Sequence, residues 1–207
     1  ETSSHDKKIT KEQADLQQII EKSCLWYQKH LFDPVGMQAK DYLQKRGFSD
    51  DTIKKFRLGF APSGRGLLRQ AMEQHNITSE QLISCGLLKR SEGSGADRDY
   101  FFNRVTFPIV DRQDKVIGFG GRLIGDGQPK YLNSPETSFF RKGKVLYNWP
   151  QARKASAESG SVIVVEGYTD VISLSQAGIL NVVAPLGTAL TEEQILLLWR
   201  IADEPLL

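Results

Sequence analysis

Four consecutive apolar residues, Val162-Ile-Val-Val165, run without a polar break into Glu166-Gly167 and then into Tyr168-Thr-Asp170-Val-Ile-Ser-Leu-Ser. An unbroken run of that length, rich in β-branched residues, predicts a strand buried on both faces of a parallel sheet. Gly167 allows the sharp exit, and a helix is expected to begin near Thr169. In open α/β sheets the carboxyl ends of the strands border the ligand crevice, which is where Glu166 falls. A plainer reading stands beside that one, because an acid also suits the start of a helix. Downstream, Asn181 to Pro185 reads as a second strand and Thr191 to Ala202 as a second helix, so this end alternates strand and helix as parallel crossovers do.

The rest of the chain has a different rhythm. Lys11 to His30 places Leu16, Ile20, Tyr27 and Leu31 on or beside one helical face, opened by the capping pattern Thr10-x-x-Gln13. The polar residues before it read as a linker, 1–10. Asp33-Pro34 restarts a helix that Gly47 ends, Ser49 opens another, and Phe60 to Gly64 is a turn. Gly66 to His75 and Thr78 to Cys85 are two more helices. Ser91 to Asp97 is a flexible connection by composition. The period then changes. Arg104 to Val110 alternates, Asp111 to Lys115 supplies a turn, and Val116 to Leu123 is a glycine-rich strand closed by Gly125-Asp-Gly127. A helix over Pro150 to Ser159 leads into the apolar run.

The fold class that follows is α/β. An α+β N-terminal subdomain of helices and a small antiparallel sheet, 11–158, precedes a parallel α/β subdomain, 159–207. Composition agrees with a folded globular chain, at 40% hydrophobic and 25% charged over 207 residues. Two cysteines outside any CxxC and three scattered histidines argue against a zinc site built by this chain, and fit a reducing cytoplasm. No stretch is apolar enough to span a membrane.

Charge is uneven although the net value is only +2. Between Arg104 and Lys144, eight bases (Arg104, Arg112, Lys115, Arg122, Lys130, Arg141, Lys142, Lys144) face four acids, which makes that segment +4 and the remainder −2. Such local basicity is what a phosphate-binding surface shows, and a solvated strand face shows it too. Within the segment, Gly118-Phe-Gly120-Gly121-Arg122 lacks the third glycine and the following helix of a dinucleotide fingerprint. Its glycines instead permit close approach, by a neighbouring strand or by a nucleic acid. Lys130-Tyr-Leu-Asn133-Ser134-Pro-Glu-Thr137 is a constrained polar loop. Its lysine can meet a phosphate and its Asn and Ser a sugar or backbone oxygen, unless those two groups satisfy turns of their own. Phe139-Phe140-Arg141-Lys142 sets cations beside aromatics, a combination that suits a single strand or simply a core.

Taken together, Val164-Val-Glu166-Gly-Tyr-Thr-Asp170-Val and the upstream blocks Gly118 to Arg122 and Lys130 to Thr137 resemble bacterial DnaG-type DNA primases, at the start of the Toprim domain and in the region before it. Ala39-x-Asp-Tyr-Leu-x-x-Arg46-Gly47 resembles a helix at the start of the same polymerase core, and the similarity runs from about Asp41 onward. The resemblance implies template-directed synthesis of short RNA primers on single-stranded DNA from ribonucleoside triphosphates, in the cytoplasm. It assigns catalysis and Mg2+ (or Mn2+) binding to Glu166 and Asp170. Nucleotide and template binding fall to Arg104, Arg122, Lys130, Asn133, Ser134 and Lys142. Zinc is implied only for a preceding domain, and contact with the replicative helicase only for a following one. Phe102 departs from the family, which usually carries arginine there. The Asp-x-Asp pair that completes a Toprim metal site is absent, since by the family's spacing the third strand should just begin in Ala202 to Leu207, with Asp203 and Glu204 before it, so this stretch alone is not expected to catalyse. Two other classes stand beside the primase: another Toprim enzyme, such as a nuclease or topoisomerase, and a non-catalytic module that binds single-stranded nucleic acid through the basic segment.

Overall fold

The computed structural model describes residues 4–206 apart from 92, 94 and 188. Its frame is a four-stranded antiparallel sheet in the order β1 (Gly59–Ala61), β4 (Arg104–Val110), β5 (Val116–Leu123), β6 (Tyr131–Asn133). The ladder between β4 and β5 is the longest, running from Arg104 opposite Leu123 to Ile109 opposite Gly118, with an irregularity before Val110. Pro108 sits inside β4, yet β1 pairs only with Arg104 to Thr106. At Pro108 the strand is therefore an edge on that side, where a missing N–H is tolerated.

Both faces of this sheet are covered. On one face, Val116 and Phe119 pack with Ile20, Cys24 and Tyr27 of α1 (Ser4–Phe32) and with the short helices α4 (Leu67–Glu73) and α5 (Ser79–Ser84). The other face, from Val105, Phe107, Ile109 and Ile117, meets α2 (Met37–Lys45) and α3 (Asp50–Lys55). Every residue from Arg104 to Ile109 is buried. The alternation in β4 suggested one solvated face, but Arg104 and Thr106 turn toward a second layer instead. The strand pair β2 (Leu88–Lys89) and β3 (Arg98–Asp99) lies beside α4 and α5.

The parallel unit follows: α6 (Trp149–Ser159), β7 (Ile163–Val164), α7 (Tyr168–Gln176), β8 (Val182–Val183) and α8 (Glu192–Leu198). β7 and β8 run parallel, and Leu206 bridges to Ile163 on the opposite side of β7, also in parallel. β7 is thus the central strand. It is shorter than the apolar run predicted, and only Val162 is fully buried while Ile163 to Val165 are half-buried. This unit shares a core with the antiparallel sheet: Tyr147, Tyr168, Val171, Ile172, Val182 and Leu186 join Phe107 and Ile109 in one cluster.

Two other expectations change at the chain's start. The polar segment read as a linker is helical from Ser4 on, and residues 1–3 lie outside the described residues. Thr10 and Gln13 therefore lie within a helix and not at its start. The capping boxes that do form are at Thr78 with Gln81, and at Thr191 with Gln194.

Candidate functional site

The carboxyl ends of β7 and β8 border a crevice of about 420 Å³ lined by Val164, Val165, Glu166, Pro185, Gly187, Ala189 and Leu190. Glu166 stands at its mouth, exposed, where the strand stops. Asp170, one turn into α7, is exposed as well, and its Oδ2 lies 3.6 Å from where a Cβ on Gly167 would be. A Cβ there would meet that carboxylate only in ordinary van der Waals contact. Both acids are hard oxygen ligands, the kind magnesium and manganese take, but two of them leave most coordination positions to phosphate oxygens and water. Among the described residues no group of three or more His, Cys, Asp or Glu side chains gathers to hold a metal ion. Thr188 of the crevice loop lies outside the described residues.

The crevice is tied to the antiparallel sheet through one amide. The Asn133 Nδ2 donates to the Leu186 carbonyl oxygen at 3.0 Å, and the Tyr168 hydroxyl donates to Asn133 Oδ1. The Tyr168 ring stacks on Phe107 with centroids 5.2 Å apart and meets the Tyr147 ring edge-on at 4.8 Å. Under the ring is Gly120, where any Cβ would come within 2.5 Å of it. The other two strand glycines act alike: Gly118 clears space for Phe140 and Ser134, and Gly121 for Phe101 and Arg104. What approaches these glycines is side chains of the protein, so the block from Gly118 to Gly121 is buried and lines no open groove.

The predicted cations separate into two groups. Arg104 is 4% exposed, and its guanidinium donates to the carbonyls of Gly121, Pro129 and Lys130 at 3.2, 2.9 and 3.2 Å. Burial, and then the nearby Arg122 charge, lowers its pKa from the ordinary arginine value. It braces the β5–β6 connection and is not available to a nucleic acid. Ser134 is corrected in the same way: at 1% exposed, its Oγ accepts from the Phe119 amide at 2.9 Å and pins the loop to β5. Asn133 is half-buried and spends one N–H and one oxygen lone pair of its amide on these structural bonds.

Arg122, Lys130 and Lys142 remain open to solvent, and among the described residues no carboxylate pairs with them. Arg122 is held between the rings of Tyr42 and Tyr131, 5.6 and 5.2 Å from their centroids, with one bond to the Leu123 carbonyl. Lys130 is exposed at the end of β6. The Lys142 loop is fastened to the head of α8, since Gln194 Nε2 donates to the Lys142 and Val145 carbonyls and the Thr191 hydroxyl to Gly143. These bonds put the lysine loop beside the start of the helix that follows the crevice.

A second hollow escaped sequence reasoning. It encloses about 590 Å³ between Ser63, Gly64, Arg65, Gly66, Lys89, Arg98, Asp99, Tyr100, Phe102 and Leu132. Phe102 is 55% exposed and forms part of its wall. Arg65 and, from opposed positions of the β2–β3 pair, Lys89 and Arg98 line it with two aromatics, a setting that suits stacked bases and their phosphates. Only the exposed Phe102 gave any signal, because the cations are far apart in sequence. Asp99 at the base of this hollow accepts from the Leu68 and Arg69 amides at 3.0 and 3.2 Å and so caps α4.

Comparison with known proteins places this architecture. Residues 26–153 match the N-terminal domain of the DNA primase catalytic core, and residues 160–207 match the Toprim domain. The DNA primase of Escherichia coli strain K12 is 43% identical over 188 residues, a span of 91% of this chain and 32% of the relative. A solved DnaG primase catalytic domain bound to ssDNA is 40% identical with a TM-score of 0.84, covering 95% of this chain and 61% of that one. The RNA polymerase domain of Mycobacterium tuberculosis primase DnaG, solved with a double-stranded DNA oligomer bearing a 6-nucleotide overhang, has a TM-score of 0.86 at 31% identity, covering 91% of this chain and 59% of that one. The chain spans about a third of the length of the curated relatives it matches.

Proposed function

The chain belongs to the DNA primase catalytic core family, and from that premise we propose that it forms the basic wall and the first acidic half of a primer-synthesising centre. The longer protein would join ribonucleoside triphosphates into a short RNA primer on single-stranded DNA. One observation carries the reading: Glu166 stands at the mouth of a crevice whose rims are bonded to the strand that begins at Tyr131, just after Lys130 and beside Arg122.

Arg122, Lys130 and Lys142 have no acidic partner among the described residues, so a polyphosphate or template backbone meets charges that need not first break an ion pair. The tyrosines on either side of Arg122 limit its rotation and keep its free N–H groups on one side. Glu166 and Asp170 would hold Mg2+ or Mn2+ through oxygen, with further ligands from the substrate's phosphates. Bound there, the ion supplies charge neutralisation and a more acidic 3′-hydroxyl. The hollow around Tyr100 and Phe102 offers a platform for unpaired template bases. Division at 158/159 into a helix-and-sheet half and a Toprim half, a cytoplasmic setting, and a helicase contact through a further domain belong to the same proposal.

Primer synthesis on single-stranded DNA with ribonucleotides and magnesium tests it. The protein extended through an Asp-x-Asp is expected to make primers, the 207-residue chain is not, and Glu166→Gln in the extended protein is expected to lose at least a hundredfold in rate while binding DNA unchanged. A second reading is favoured by the cations and aromatics that line the hollow around Phe102: a module that only binds single strands. It would be correct if neither length makes primers while both bind DNA in a salt-sensitive way.

A further inference from the structure

We propose that Asn133 and Tyr168 are positioning residues that act as a latch, setting the acidic crevice against the basic strand, and that neither touches the nucleotide. The inference rests on the primase reading and concerns how its two halves are held in register. Asn133 closes β6 opposite Gly120, three residues after Lys130. Tyr168 follows Glu166 by two residues, and Leu186 adjoins Gly187 on the other rim. One side-chain amide therefore grips both rims of the crevice, one after β7 and one after β8.

The chemistry of the amide fixes its orientation. The Leu186 carbonyl can only accept, so the Asn133 nitrogen must face it and the oxygen must face Tyr168, whose hydroxyl then donates. The Tyr168 ring is in turn confined by Phe107, Tyr147 and the bare face of Gly120, which leaves the hydroxyl little freedom. Gly187 adds a second constraint, for a Cβ there would lie 3.3 Å from Asn133 Nδ2 at a backbone φ of +76°. A slip between the two halves breaks this pair of bonds together with those that tie Lys142, Gly143 and Val145 to α8 and Gln176 to Ser49 and Gly47. Displacement of a reacting group by about 1 Å costs on the order of a hundredfold in rate.

Two substitutions test the two arms separately. Tyr168→Phe removes the hydroxyl and keeps the ring over Gly120. Asn133→Asp keeps the acceptor toward Tyr168 and turns a carboxylate oxygen against the Leu186 carbonyl. In the protein extended to primase length, each is expected to lower kcat for primer extension about tenfold or more, with KM for ribonucleotide and Kd for single-stranded DNA within about twofold of the parent. The double variant should lose no more than the worse single one, since one latch is opened once. Thermal unfolding is measured alongside, and a fully folded Tyr168→Phe with reduced kcat supports the latch. If Tyr168→Phe matches the parent in kcat, or Asn133→Asp raises the ribonucleotide KM while Tyr168→Phe is silent, the latch is wrong and Asn133 contacts substrate directly. If the parent itself makes no primers, the functional reading fails, and the latch with it.

Discussion

The β4–β5 ladder and the β7–β8 pair are built from similar apolar residues and come out differently. The first is a pair of seven- and eight-residue strands with both faces sealed, whereas the second pairs through two residues on each strand and leaves its central strand half-buried. In the long ladder, polar groups that looked functional are consumed by the fold: Arg104 by three carbonyls, Ser134 by an amide, three glycines by overlying side chains. In the short pair, the acids stay free and exposed. The lesson is that the ladder supplies rigidity and register, and the short strands supply reactive groups which lean on the ladder for position. Burial exacts a partner from each polar group, so a cation deep in a sheet is more often a brace than a binding residue.

Breaking the junction between the two regions is expected to have the largest effect. Gly120→Ala puts a methyl within 2.5 Å of the Tyr168 ring and should cost about 2–3 kcal/mol in denaturant unfolding. The ring is confined by two other aromatics, so little relief is available. An unfolding curve unchanged by Gly120→Ala would mean the two halves are not pressed together there.

Next comes the contrast between a buried and an exposed cation. Arg104→Met should destabilise by about 2 kcal/mol, because three carbonyl oxygens lose a charged donor. Where the variant remains folded, its affinity for single-stranded DNA should keep the parent's salt dependence. Lys130→Ala should do the reverse, leaving the unfolding midpoint in place and reducing the slope of log affinity against log salt by about 1. Identical salt slopes for Lys130→Ala and the parent would remove Lys130 from the phosphate-binding face.

The smallest effect concerns pH. Burial raises the Asp99 carboxyl above its ordinary value of 3.8, against the lowering pull of the Leu68, Arg69 and Leu67 amides. The folded chain therefore keeps that proton to higher pH than the unfolded chain does. Stability contributed here falls as pH rises from the ordinary value through the raised one, and is level above it. Asp99→Asn retains an oxygen for the α4 amides and should flatten that decline, seen as denaturant midpoints that vary less with pH across the acid range. An unaltered pH profile would show that Asp99 titrates as in an unfolded chain.

What the residues alone determined was local and ordered along the chain. The change from helical period to strand period, the capping chemistry at Thr191 and the acid at the end of an apolar run were all legible, because each depends on neighbours in sequence. The family motifs added the order of the two halves. What only the tertiary structure decided was which polar residues were left over. Tyr168 over Gly120, Asn133 between Tyr168 and Leu186, and Arg104 under the Pro129 and Lys130 carbonyls join residues from 25 to 53 positions apart. No periodicity encodes such pairings. They follow from packing two sheets and a helix into one core, where every buried donor must find the acceptor that happens to lie beside it.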